Sequence, residues 1–511
     1  MDCKTKTRSL LVLITVLSAL SFPSITGAAD ASSPNIIIFL ADDQGWSGTS
    51  ALMDLEQKDS KSDFYQTPAL ERLAAEGMRF SQGYAPHPNC SPTRMSIQTG
   101  KSPARLGSTD ILDIVASEAG YGRVFYERFY LNKPMNVPLP IGAIPDEEVT
   151  IAEFIKEHRP EYATAHFGKW HLNGESPANH GYDQHDGTTS NREGTAREPD
   201  PKLIKHVTDR SVNFMREQVK AKKPFLLQIS HYAVHTPVFA KPETLDAFAA
   251  MEPGSVHTND RYAAMTKDLD GSLESVLEAL DQLGIADRTY IIYTSDNGGE
   301  IGSVSTPTVN TPLRKGKTHT WEGGVRVPLI VRGPDVEAGS QSDVPVIGWD
   351  FFPTIASLLE IEAPMPANID GGSFVELLHG DGKGTVDRPT QNLVWYYPHY
   401  RNNKGVYPQA SLLAGNYKLR KEYETGKLML FDLNKDLSEA NDISSKKPEL
   451  TSKLEKALDD YLNTVGAKLP TKNIDYDPAK DLGLQSRGEG RGQGRGPGGN
   501  RGGRGPRQQN P

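Results

Sequence analysis

Asn35-Ile36-Ile37-Ile38-Phe39-Leu40-Ala41-Asp42-Asp43 decides the fold. Ile36 to Ala41 is apolar without a break and too short for a typical helix. Such a run reads as a strand buried on both faces, which is what a parallel sheet demands. It ends abruptly in two carboxylates. Phe225-Leu226-Leu227-Gln228-Ile229-Ser230 and Thr289-Tyr290-Ile291-Ile292-Tyr293 repeat the pattern, followed by His231 and His235 and by Asp296 and Asn297. Tyr162 to Phe167 is a shorter run of the same kind, followed by Lys169 and His171. Tyr262, Met265, Leu269, Leu273, Val276, Leu277 and Leu280 have helical spacing, and Gly284 suits a helix end. Strands alternating with amphipathic helices predict an α/β fold with helices on both faces of a mostly parallel central sheet. In such sheets sites form beyond the carboxyl ends of the strands. That is where the polar residues fall.

Outside this core the texture changes. Lys4, Lys6 and Arg8, the apolar stretch Leu10 to Leu20 and the small residues Gly27 to Ala29 read as a signal peptide over residues 1–29. An exported chain, periplasmic or extracellular and with no membrane anchor, is expected. The only N-x-S/T triplet is Asn89-Cys90-Ser91, which favours a bacterial source. A catalytic domain over 34–390 and a C-terminal subdomain over 391–470 follow. The subdomain is expected to hold a small antiparallel sheet from Leu393–Tyr397, Tyr417–Leu419 and Leu428–Asp432, and a closing helix over Leu450–Leu462. Residues 471–511, ending in Arg/Gly repeats, cannot bury a core and are expected to be disordered. That end is read as an inert terminus or a weak tether to anionic polysaccharide, with no nucleic acid expected as partner. The net charge of -9 is modest for 511 residues and selects no partner. Oligomeric state is not legible.

Past the leader, Cys90 is the one cysteine, so it has no internal disulfide partner. It stands in Pro88-Asn89-Cys90-Ser91-Pro92-Thr93-Arg94. A lone cysteine is ordinarily a small buried hydrophobe. A chance Pro two positions on and Arg four positions on, however, has odds of roughly a few in a thousand at ordinary residue frequencies. Pro92 suits the first position of a helix, which would leave Cys90 just before the helix N-terminus, where an anion is favoured.

Asp42, Asp43, Asp296 and Asn297 are hard oxygen donors, suited to Ca²⁺ or Mg²⁺ rather than zinc. Individually, an Asp-Asp pair is a polar loop and Asp-Asn-Gly-Gly a turn; their joint placement at strand ends raises them. Lys169, His171, His235 and Lys317 add cationic and proton-transfer groups of the sort that cleavage of an anionic ester needs. His158, His166 and His206 are ordinary, and His399 is a candidate substrate contact.

Taken together, Ala41-Asp42-Asp43, Cys90 to Arg94, Gly168-Lys169-Trp170-His171, His235-Thr236-Pro237, Ser295-Asp296-Asn297-Gly298 and Lys317 ahead of Glu322-Gly323-Gly324 resemble the type I, formylglycine-dependent sulfatases of the alkaline phosphatase superfamily. The resemblance runs in order from Pro34 to Leu462. It implies an alkaline phosphatase-like α/β/α sandwich. It also implies one Ca²⁺ on Asp42, Asp43, Asp296, Asn297 and a modified Cys90, with Mg²⁺ the lesser candidate. Cys90 would be oxidised to formylglycine by a formylglycine-generating enzyme. Arg94 and His171 would hold the aldehyde hydrate, Lys169, Lys317 and His235 would bind sulfate, and His235 with Lys317 would protonate the leaving oxygen. One hydroxyl of the hydrate attacks sulfur; the second, deprotonated by His171, expels sulfate by C–O cleavage. Sulfated carbohydrate is the implied substrate and aryl sulfates its artificial stand-ins. Ser96, Ile97 and Gln98 are more polar than the family's usual residues there, and Lys101 stands where Arg is commoner. The segments 102–146, 174–198 and 395–400 are expected to wall the pocket. A phosphatase or phosphodiesterase of the same superfamily is the nearest rival, although Asn297 in place of a histidine favours a single hard cation. A non-catalytic binder of sulfated glycan is the rival of another class.

Overall fold

The computed structural model describes residues 33–111, 129–301, 309–401 and 404–481. The expected leader lies outside them, as does the Arg/Gly-rich end beyond 481. No helix among the described residues is long and apolar enough to cross a membrane.

The central sheet has eight strands: β1 (Asn35–Ala41), β2 (Met78–Phe80), β3 (Ala163–Gly168), β4 (Gln184–His185), β5 (Phe225–Ser230), β6 (Thr289–Ser295), β7 (Leu329–Arg332) and β8 (Gln341–Ser342). Their order is β8-β2-β7-β6-β1-β5-β3-β4. Pairings are parallel except those of β7 with β2 and with β6. β1 lies in the middle, registered Leu40 to Ser230 on one side and Ala41 to Ser295 on the other. Alternation along β1 feeds two cores. Ile37 and Phe39 pack with helices Ile204–Ala221 and Asp260–Leu283. Ile36, Ile38 and Leu40 pack with helices Cys90–Thr99, Ile151–His158 and Phe351–Leu358. A strand covered on both faces has no use for alternating polarity, which is why the run reads as it does. The long helix ends at Gly284 in the left-handed region, as its sequence suggests, and at its start Asn259 Oδ1 accepts from Tyr262 N at 2.8 Å.

A second sheet, antiparallel, orders β9 (Leu393–Tyr397), β10 (Gln409–Ala414), β11 (Tyr417–Glu422) and β12 (Leu428–Asp432) in sequence. One face carries the helix Pro448–Thr464 through Leu454, Leu458 and Leu462. The other sets Trp395, Leu413 and Phe431 against Tyr84, Trp321 and Trp349 of the catalytic unit. The disorder expected from residue 471 does not hold for the described residues 471–481. Thr471–Lys472 pairs antiparallel with Met135–Asn136, Asn473 Nδ2 donates to Lys133 O at 2.9 Å, and Asp481 is buried against Lys133. A short stretch poor in apolar residues is held here by hydrogen bonds and a buried ion pair, which composition does not reveal.

Charge also joins the two units. Lys418 Nζ lies 2.7 Å from Glu322 Oε1 and 3.5 Å from Glu439 Oε1, with all three side chains fully buried. Glu322 Oε2 also accepts from Tyr84 at 2.9 Å. Burial pushes Glu439 up to about 7 against the pull of Lys418. Lys418→Met would leave two carboxylates buried side by side. We expect it to cost about 3–5 kcal/mol, read as a lower urea midpoint at unchanged slope. A loss below about 1 kcal/mol would show the joint to be held by the apolar face alone.

Candidate active site

The site forms where β1, β6, β5 and β3 end side by side. β1 hands the chain to Asp42 and Asp43, and β6 hands it to Asp296 and Asn297. Because Ala41 and Ser295 are register partners, the two pairs meet. Asp43 N donates to Asp296 Oδ1 at 3.1 Å, and Asn297 Nδ2 to Asp43 Oδ1 at 2.7 Å. On the other flank Gly168 turns sharply with φ 89°; a Cβ there would lie 1.9 Å from Ser230 O. That close approach lets Lys169 N bond Ser230 O at 2.8 Å and turns the Lys169 side chain back onto Asp42 Oδ2 at 2.6 Å. His171 follows with φ 55° and lies 3.4 Å from Asn191 through Nε2.

The Gly298-Gly299 and Gly323-Gly324 pairs serve a similar end. A Cβ on Gly298 would lie 1.9 Å from Gly323 O. The loops therefore press together, Lys317 N bonds Gly299 O at 3.1 Å, and Lys317 Nζ reaches Asp43 Oδ1 at 2.7 Å. His235 Nε2 stands 3.7 Å from Asp43 Oδ2, while its Nδ1 donates to Thr236 O at 2.5 Å.

Cys90 is the first residue of its helix and Asn89 the N-cap, so the cysteine sits two steps further in than Pro92 suggests. The helix starts early because Asn89 takes the extended cap conformation and Thr93 Oγ1 ties back to His87 O at 3.0 Å. Arg94, one turn on, is locked by Asp296 Oδ2 at 2.7 Å and Lys169 O at 2.5 Å. The polar residues after it are satisfied: Gln98 pairs with Gln228 Oε1 at 2.7 Å and accepts from Tyr182 at 2.9 Å, and Ser96 bonds Lys101 O at 2.6 Å. Lys101 pairs with Glu148.

Ligand atoms of Asp42, Asp43, Cys90 and Asp296 all lie within 4.8 Å of one another, fully buried. Asp42 Oδ1 and Asn297 Oδ1 are buried and make no hydrogen bond among the described residues. Oxygens left bare in this way fit a hard cation. The charges set each other. Burial works against ionisation of Asp42, yet Lys169, His235, Arg94 and Lys317 outweigh it and hold that carboxyl well below its usual range. Asp296 is pushed up to about 6 by burial and by Asp42 beside it. Burial and Lys317 depress His235, whereas Asp43 keeps Lys317 charged despite its burial. The Cys90 thiol is pushed up to about 12 by burial, so at neutral pH it is protonated.

Two candidates lie elsewhere. His399 is fully buried, with Nε2 2.8 Å from Thr109 Oγ1 and its ring against Tyr130 and Tyr397, and it makes no hydrogen bond or ring contact with the acid cluster among the described residues. His231 bonds Ser272 Oγ at 2.8 Å inside the core. Two other residues join the site without a sequence signal. Lys202, in a left-handed conformation and buried, donates to His235 O at 2.8 Å. Glu300 accepts from Thr236 Oγ1 at 3.4 Å and pairs with Lys404 at 2.9 Å.

Residues 34–361 match the sulfatase family model, and residues 316–466 match the model of the N-sulphoglucosamine sulphohydrolase C-terminal region. The chain is 31% identical over 422 residues to N-acetylgalactosamine-6-sulfatase of Canis lupus familiaris, covering 75% of this chain and 72% of that protein. It is 27% identical over 530 residues to a sulfatase of Formosa agariphila, covering 88% and 91%. The crystal structure of Ps i-CgsB in complex with k-i-k-neocarrahexaose superposes with a TM-score of 0.69 at 22% identity, covering 89% of this chain and 97% of that one. The family match separates the sulfatase reading from the phosphatase rival, which the acid cluster alone does not. The chain is a member of the sulfatase family, a sulfuric ester hydrolase of alkaline phosphatase-like fold.

Proposed function

We propose that this protein hydrolyses sulfate monoesters on carbohydrate, using a formylglycine made from Cys90 and one Ca²⁺. The observation that carries the reading is a chemical mismatch. Three carboxylates and an amide oxygen make a hard-ion site, yet the remaining group beside them is a thiol held neutral by burial. Neutral sulfur is a poor partner for Ca²⁺ and a poor nucleophile. Conversion to the aldehyde hydrate replaces sulfur with oxygen and makes the whole donor set hard. Asp42, Asp43, Asp296 and Asn297 would hold the ion, whose charge would favour the ionised hydroxyl of the hydrate.

The remaining roles belong to the chain's own side chains. Arg94, fixed on Asp296, orients residue 90. Lys169 meets Asp42 and Lys317 meets Asp43, and both supply positive charge for the sulfate oxygens. His235 offers Nε2, because its Nδ1 is committed to Thr236 O. Burial keeps that ring neutral; a bound sulfate anion reverses the preference, and the one proton it gains goes to the leaving oxygen, with Lys317 donating a hydrogen bond to that oxygen while keeping its own proton. His171 is the base for release of sulfate.

The carbohydrate assignment rests on the relatives, among them an N-acetylgalactosamine-6-sulfatase. Export, with a formylglycine-generating enzyme acting on the chain during maturation, belongs to the same proposal. The test is ion chromatography of inorganic sulfate released from N-acetylgalactosamine 6-sulfate, sulfated galactose and 4-nitrophenyl sulfate, beside the matching phosphate esters. Sulfate release from a sugar, with at least about 100-fold preference over phosphate, is expected. Hydrolysis of the aryl ester with none of the sugars would refute the carbohydrate assignment.

A further inference from the structure

His235 stands on no helix or strand. It lies in the loop after β5, and that loop must be held for its Nε2 to point anywhere definite. On the N-terminal side the backbone does this: Asp42 N donates to Ala233 O at 2.9 Å, and Val234 N donates to Asp42 O at 2.7 Å. On the C-terminal side a single side chain does it. Lys202 Nζ donates to His235 O at 2.8 Å and to Pro237 O at 3.3 Å. Among the described residues, the only other hydrogen bond that ties the turn His235–Pro237 to a distant segment is the one from Thr236 Oγ1 to Glu300, at 3.4 Å.

Lys202 is itself placed with care. Asp200 caps the helix Ile204–Ala221, its Oδ1 accepting from Lys205 N and its Oδ2 from His206 N, both at 2.8 Å. Lys202 N donates to Ala196 O at 3.0 Å. Between these ties Lys202 and Leu203 take φ values of 60° and 52°. Two successive non-glycine residues in the left-handed region are uncommon and persist only where the surroundings impose them. The turn delivers a side chain that is 1% exposed, and no carboxylate pairs with it among the described residues. Burial pulls Lys202 down to about 8, with Asp42 and Asp43 pulling the other way, so it is mostly charged at neutral pH. An ammonium buried on two carbonyls is costly to desolvate, and an apolar side chain of the same length would fill the space with less penalty. What the apolar side chain lacks is the pair of donors under His235.

We propose that Lys202 is a positioning residue for ester cleavage: by gripping the carbonyls of His235 and Pro237 it aims His235 Nε2 at the leaving oxygen. The inference rests on the assignment of that oxygen's proton to His235 made above. Its test compares 4-nitrophenyl sulfate with phenyl sulfate, using proteins matched for conversion of residue 90. Phenoxide is the more basic leaving group and needs the proton more. Lys202→Met retains the stem and removes the donors. It is expected to lower kcat for phenyl sulfate by about 100-fold, the scale of a catalytic group displaced by about 1 Å, and for 4-nitrophenyl sulfate by at most about tenfold. KM should stay within about threefold, because Lys169 and Lys317 still hold the sulfate. Lys202→Arg, with donors for both carbonyls, should restore phenyl sulfate to within about tenfold of the parent. Lys202→Gln retains one donor and should show the same split at a smaller size, about fivefold, a reading that stands even where the methionine variant does not fold. Equal losses on the two esters overturn the inference, since a lysine that only supports the fold slows both alike. His235→Gln is measured beside these variants. A split there with none at Lys202 overturns the positioning role alone. No split at His235 removes the proton assignment and the inference together, whatever Lys202 shows.

Discussion

Cys90→Ser is expected to lower steady-state sulfate release by on the order of 10⁴-fold or more, the scale of removing a nucleophile that acts as part of a unit. The substitution is nearly isosteric and sits at the first turn of a helix whose ten residues are all buried. The fold should survive, with Tm within about 3 °C of the parent. Arg94, Lys169 and Lys317 stay in place, so the variant should still bind sulfate esters. What it lacks is a second hydroxyl on the same carbon. A serine that attacks sulfur is left esterified with no internal route to expel sulfate, so at most one turnover is expected. Sustained turnover by the serine variant within tenfold of the parent would remove formylglycine from the account.

Removal of divalent cation has the next largest expected effect. Asp42, Asp43 and Asp296 are at most 1% exposed, and Asp42 Oδ1 and Asn297 Oδ1 make no hydrogen bond among the described residues. Treatment with EGTA is expected to cut activity at least about 100-fold, with recovery on addition of Ca²⁺ and weaker recovery with Mg²⁺, whose octahedral demand a buried acid cluster meets poorly. The same titration should raise Tm, because an ion bound only by the folded state at about 100 times its dissociation constant adds about 2.7 kcal/mol. Zinc should not substitute, since the converted site offers no soft ligand. Full activity after exhaustive chelation, or rescue by zinc and not by calcium, would contradict the assignment.

Much of this was readable along the chain because the chemistry sits where long buried strands stop. β1, β5 and β6 announce themselves as unbroken apolar runs, and the residues after them need only the parallel registers to meet. The short strands were not readable. Met78–Phe80, Leu329–Arg332 and Gln341–Ser342 are too brief to show a period, and the antiparallel entry of β7 depends on packing rather than pattern. Gln409–Ala414 lacks the aromatic residues that its neighbours carry, yet pairs through six register positions with β11 because β9 and β11 flank it.

The missing site residues share one cause. Lys202 reaches His235 through a left-handed turn, and Glu300 through a loop contact; neither has a local signature. The surroundings of His399 were hidden for a related reason. It belongs to a buried network in which Asp110 meets Arg401 Nη2 at 2.5 Å and accepts from Tyr130 at 2.5 Å, and sequence does not say which face of a loop is covered. That network ends on Asn89, the cap of the nucleophile's helix, whose Nδ2 is 3.4 Å from Asp110 Oδ1.

Mass spectrometry of the tryptic peptide Phe80–Arg94, from protein made in its native host and shown to release sulfate, tests the central claim most directly. The account predicts an aldehyde or its hydrate in place of the CH₂SH group of Cys90. A free thiol at Cys90, alkylated quantitatively after unfolding in a preparation of full activity, would contradict it.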